Sequence, residues 1–167
     1  MAWREISYNF FINNYHMEMS IDTDDGTSYV RAHHNFLVGG EWALKSDEGG
    51  HSNWQHDNIN AYMTGPQVDL FNPQAPGLED RYFNNTVIQL GGSIVGSTSP
   101  GLAAALCGMV NVTGTRVYTI TGEIPKCLGG PSLTATGAGN SVEKLPPDDD
   151  VIMWARELLN ISQFQLR

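Results

Sequence analysis

The chain has 167 residues, 41% of them hydrophobic and 16% charged, a composition that suits one globular domain with its own core. A net charge of -9, with nine Lys and Arg scattered rather than clustered, sets it against a phosphate backbone, so nucleic acid is not an expected partner. The opening MAWREISYNFF has no basic segment leading into an apolar run; no signal peptide or transmembrane segment is read, and a cytoplasmic location is expected.

Residues 5–46 carry the clearest pattern. Asp25-Gly26 lies between alternating residues and reads as a two-residue hairpin turn with positive φ at both positions. That turn sets Ile21 opposite Val30 and Met19 opposite Ala32. A second turn at Asn13-Asn14 sets Phe10 against Met17 and Ile6 against Ile21, so two independently placed turns agree on one apolar face. The result is a three-stranded antiparallel meander. A rival reading keeps residues 6–21 as one strand with a bulge at the two asparagines.

The opposite face of this meander holds Phe11, His16, Glu18 and Ser20 with Tyr29, Arg31, His33 and Asn35, and Glu18 lies directly across from His33. Two imidazoles and a carboxylate on one face could hold a divalent metal with open positions, or act as an acid/base set in which the carboxylate orients a histidine. His16, Glu18 and His33 are therefore the candidate catalytic and metal residues. An ordinary solvated sheet face would carry the same residue types. His34 falls on the apolar side and reads as a core or rim histidine. A further turn at Gly39-Gly40 brings Trp42 and Leu44 onto the His16 face, whose mixture of apolar and polar ends suits a small-molecule cleft.

Residues 45–62 lack a period and read as a long loop, in which His51, Trp54, His56 and Asp57 could extend the site, or Trp54 could stack on a sugar or planar ligand. DTDDGTS has its Gly one place early for a calcium loop. Residues 86–142 are rich in Gly, Ser and Thr and poor in charge. Short strands are predicted at TVIQL, GSIVGS, VNVT and RVYTITGEI, with a short helix near 99–109. Cys107 and Cys127 are too sparse for a disulfide framework and read as buried thiols, with a single bridge between them left open. The uncharged stretch suits a subunit interface, hence a homo-oligomer.

The end of the chain predicts an amphipathic helix over 149–165. Prolines 146 and 147 precede it, Asp148 to Asp150 complement its positive end, and Val151, Trp154, Ala155, Leu158 and Ile161 form a stripe. The fold expected is a single all-β domain, mainly an antiparallel barrel or sandwich, closed by this helix. The function expected is binding of a small molecule or protein partner through Phe11, Arg31, Asn35, Trp42, His51, Trp54 and His56. The alternative is an enzyme using His16, Glu18 and His33, and a membrane-active protein stands third. No sequence motif calls for an organic cofactor.

Overall fold

The computed structural model describes residues 2–46, 49–70, 76–91, 94–96, 110–123 and 139–160, leaving aside the side chains at 13–18, 69, 70 and 96. Every pairing between its strands is parallel. The chain winds into a β-solenoid of about four turns, which overturns the antiparallel barrel or sandwich. One sheet has five strands, in the order β1 (Arg4–Ser7), β3 (Val30–His33), β5 (Trp54–His56), β8 (Asp80–Phe83) and β11 (Val110–Thr113). The other has eight. It runs β10 (Val95–Gly96), β7 (Val68–Leu70), β4 (Phe36–Ser46), β6 (Ile59–Met63), β9 (Thr86–Gln89), β12 (Arg116–Thr119) and β13 (Ser141–Lys144), with β2 (Phe10–Thr23) beside β4.

What coils the chain is a corner repeated in each turn. Tyr8, His34, Asp57, Asn84 and Gly114 all adopt positive φ, between 54° and 59°. Four of these five are the residue types that best tolerate the left-handed region. Each is followed by a residue of a polar column, exposed at its first member, Asn9, and buried at Asn35, Asn58, Asn85 and Thr115. Asn35 Oδ1 accepts the backbone N–H of Asn9 at 3.0 Å, Asn58 Oδ1 that of Asn35 at 3.0 Å, and Asn85 Oδ1 that of Asn58 at 2.9 Å. The side-chain amides donate back to the carbonyls of Ile6, Ala32 and Gln55. Thr115 then donates its N–H to Asn140 Oδ1 at 2.8 Å, continuing the column. Corner groups left unpaired by the two sheets are thereby satisfied inside the protein, as buried polar groups must be.

The predicted turn at Asp25-Gly26 is present, with φ of 49° and 72° and a Thr27 N–H to Asp24 carbonyl bond of 3.1 Å. It does not make a hairpin. The chain turns again at Tyr29 (φ 61°) and enters the other sheet, so Val30 pairs with Arg4 and not with Ile21. Asn13 and Asn14 lie within β2, whose register against β4 shifts between Asn14 and Met19. The bulged single strand therefore describes that region better than the meander does. Gly39-Gly40 lies inside β4, and Gly39, at φ 63°, falls within the part of β4 that pairs β6, ahead of the part from Leu44 that pairs β7. The predicted loop at 45–62 contains β5 and most of β6.

The strands expected in the charge-poor half exist as β9, β10, β11 and β12. Val87, Val110, Val112 and Val117 fill the interior of the coil with Leu37 and Tyr82. The predicted helix α1 spans Asp148–Leu159, with three Asp in its first turn and Asn160 in the left-handed conformation at its end. It lies on the outer side of the eight-stranded sheet, where Val151 and Ala155 are buried against Phe36, Ile59, Ile88 and Tyr118. Trp154 stacks on Tyr118 at 5.5 Å, a contact worth about 0.5–1.5 kcal/mol beyond its area. The helix thus covers the outer face of that sheet around Phe36, Ile59, Ile88 and Tyr118, and among the described residues no helix covers the outer face of the five-stranded sheet. No helix among the described residues is long and apolar enough to cross a membrane. The short helix near 99–109, Cys107, Cys127, Ile161 and Phe164 lie outside the described residues.

Candidate functional site

Parallel stacking in register turns each outward position of the five-stranded sheet into a column. One column reads Glu5, Arg31, Trp54, Arg81, Asn111; the next reads Ser7, His33, His56, Phe83, Thr113. In the first column Arg31 lies between two indoles, 4.9 Å from the Trp3 ring and 5.2 Å from that of Trp54, with Arg81 at 5.3 Å from Trp54. These are cation–π distances. Arg31 is also paired with Glu5 at 3.5 Å. In the second column His33 stacks on His56 at 5.0 Å and 7°, and His56 on Phe83 at 4.7 Å and 11°. Trp54 and Phe83 meet edge-on at 6.2 Å, so the two columns touch.

Among the described residues the large side chains of both columns stop at the same rung. Beyond Arg81 and Phe83 the side chains shrink to Asn111 and Thr113, and these four residues line a pocket of about 230 Å³. Phe83 has His56 on one side and only a threonine as register partner on the other. Arg81 and Asn111 are exposed, and among the described residues Arg81 forms no ion pair.

Along the neighbouring corner the histidines meet polar partners. His33 Nδ1 and His34 Nδ1 are 2.8 Å apart, so one imidazole donates and the other accepts. His56 Nδ1 is 2.6 Å from Asp57 Oδ2, an arrangement that orients the ring. Tyr8 stacks on His34 at 5.1 Å. Burial holds His33 below the ordinary imidazole range, and the neighbouring His56 and His34 push in the same direction; Glu5, with Oε2 3.9 Å from His33 Nε2, opposes them.

No family model, curated protein or solved structure matches the chain. The chemistry of this face is therefore the basis for a functional reading.

Of the predicted site residues, the face brings together Arg31, His33, Trp54 and His56. His51 sits at the nearby corner, edge-on to Tyr29 at 5.4 Å and with Nδ1 3.1 Å from Ser52 Oγ. The others lie elsewhere. Asn35 is fully buried in the polar column. Phe11 packs against the interior core, and Trp42 is buried on β4 opposite Met19. His16 and Glu18 belong to β2 in the other sheet, and their side chains are outside the described residues. The cross-strand pairing of Glu18 with His33 does not occur, because His33 pairs in parallel with Ser7 and His56. Among the described residues no group of three or more His, Cys, Asp or Glu is placed to hold a metal ion.

Sequence reasoning missed Arg81, Phe83, Asn111 and Thr113. Part of the signal was available: aligning the chain on its recurring Asn places Arg81 and Phe83 directly after Arg31/Trp54 and His33/His56 in the same columns, whereas Asn111 and Thr113 precede Thr115, where the recurring Asn is replaced.

Proposed function

We propose that the chain is a binding protein that takes a small ring-bearing molecule in the slot where the two outward columns end. The observation that carries this reading is the simultaneous stop at Arg81 and Phe83. Up to that rung each ring or guanidinium has a neighbour; at the next rung two small polar side chains leave a space bounded by Phe83 and Arg81. A ring entering the space would continue the series of stacked side chains, at the spacing of about 4.8 Å that separates neighbouring strands. The volume falls somewhat below the roughly 300–1,000 Å³ of sites for drug-sized ligands, which suits a single substituted ring.

Tryptophan fluorescence provides the test, because Trp54 lies within reach of both Arg81 and Phe83. A panel of single-ring compounds should include some that quench or shift the emission of the full chain in a saturable way. Thr113→Phe, which fills the slot with protein, should abolish that response while the far-ultraviolet circular dichroism stays unchanged. A response that survives in Thr113→Phe would move the site elsewhere.

A second reading, acid/base catalysis, has one specific observation behind it. The His56–Asp57 contact is a carboxylate-oriented imidazole beside the slot. On this reading His56 and His33 replace the set of His16, Glu18 and His33. His56→Gln would then abolish turnover of a ligand that it still binds.

A further inference from the structure

Resting on the slot as the binding site, we infer that its ligand is a flat aromatic ring bearing a carboxylate.

The wall of the slot is Phe83, already packed by His56 on one side at 11° between the planes. The space opposite lies over Thr113 and Asn111, one strand further on. An aromatic ring can lie parallel to Phe83 there as His56 does on the other side, and offset stacking of this kind stabilises an aromatic pair beyond simple area burial. A puckered ring of the same atom count is thicker and presents axial hydrogens, so it loses both the close approach and the π contact with the guanidinium of Arg81.

The two arginines of one column differ in their surroundings. Arg31 is enclosed between Trp3 and Trp54 and is paired with Glu5. Among the described residues Arg81 stacks on Trp54 alone; it is exposed and lines the slot with its fork of N–H donors, the geometry that matches a carboxylate bidentately. Glu79 is a competing carboxylate: the Gly77 backbone N–H, 2.8 Å away, is the main cause that holds it below the usual carboxylate range, and the charge of Arg81 is a lesser one. Asn111 and Thr113 add neutral donors and acceptors that can meet a second substituent on the ring. On a chain of net charge -9, an exposed guanidinium lining the slot is where an anion would be accepted.

The test uses the full chain labelled for nuclear magnetic resonance and three probes: benzoate, its neutral analogue benzamide, and the non-planar cyclohexanecarboxylate. Benzoate should shift the amide and side-chain resonances of Asn111 and Thr113, and bind about tenfold or more tighter than either of the other two. Arg81→Gln should bring benzoate down to the level of benzamide, and Phe83→Leu should bring it down to that of cyclohexanecarboxylate. Equal binding of benzoate and benzamide, or of benzoate and cyclohexanecarboxylate, in the unmodified chain would overturn the inference while leaving the slot as the site. No shift at Asn111 or Thr113 with any of the three at tens of millimolar would overturn the inference and count against the slot itself.

Discussion

Asn35 donates twice to Asn58. Its backbone N–H and its side-chain Nδ2 both reach Asn58 Oδ1 at 3.0 Å, and Asn58 in turn donates from both of its nitrogens to Asn85 Oδ1, at 2.9 and 3.1 Å. All of these groups are buried. Removing the Asn58 amide would take away the acceptor of the buried Asn35 N–H and one donor to the Ala32 carbonyl. Asn58→Ala should therefore destabilise the fold by on the order of 3 kcal/mol. Urea unfolding followed by circular dichroism checks this; a loss below about 1 kcal/mol would mean that the column is not what holds the turns in register.

The corner position is equally restrictive. Gly114 has φ of +59°, and a Cβ added there would sit 2.5 Å from Asn84 Oδ1. Gly114→Ala should cost about 1–2 kcal/mol from the left-handed backbone alone, before any movement of Asn84 is counted. Substitution by Asn at the same place should be milder, because Asn84 already occupies the equivalent corner one turn earlier at φ 54°. Thermal unfolding of the two variants side by side would show the ranking, and Asn no better than Ala would contradict it.

The histidine column predicts a pH dependence. His33 is held below the ordinary imidazole value of 6.5, by burial first and then by His56 and His34, with Arg31 in the same direction and Glu5 of β1 opposing. The unfolded chain therefore takes up this proton at a higher pH than the folded chain does. The contribution to stability is whole above about pH 6.5 and is lost as the pH falls through the lower folded value. Urea midpoints should fall between pH 7 and pH 5, with a shallower fall in His33→Gln. Identical slopes in the two proteins would show that His33 carries none of the effect.

Much of the local structure was readable from the residues. VNVT is β11 to the residue, TVIQL contains β9, Asp25-Gly26 turns with two positive φ values, and the apolar stripe of α1 packs as its spacing requires. The pairing was not readable from turns alone. A two-residue turn with positive φ can close a hairpin or begin a corner, and inside/outside alternation is the same in an antiparallel meander and in a coil whose outer face meets water. What separates the two is recurrence: Asn9, Asn35, Asn58, Asn85 and Asn140 each precede a strand, and each follows a residue at a positive-φ corner. Repeats of 20–50 residues are the mark of stacked architectures.

The candidate site was legible in part for the same reason. Arg31, His33, Trp54 and His56 were picked out by residue type, and a carboxylate beside a histidine was expected. The antiparallel register joined them to His16, Glu18 and Trp42, whereas the coil joins them to Arg81 and Phe83. A ring stack three rungs tall has no counterpart in local sequence. It arises only when residues more than twenty positions apart are laid over one another.

Both the columns and the slot at their end require His33, His56 and Phe83 to be successive neighbours on parallel strands. Nuclear Overhauser contacts between backbone protons test this most directly in the unmodified chain. Cross-strand contacts should join His33 to His56 and His56 to Phe83, with none between Glu18 and His33. Contacts between Glu18 and His33, with none from His33 to His56, would restore the antiparallel pairing and remove the slot.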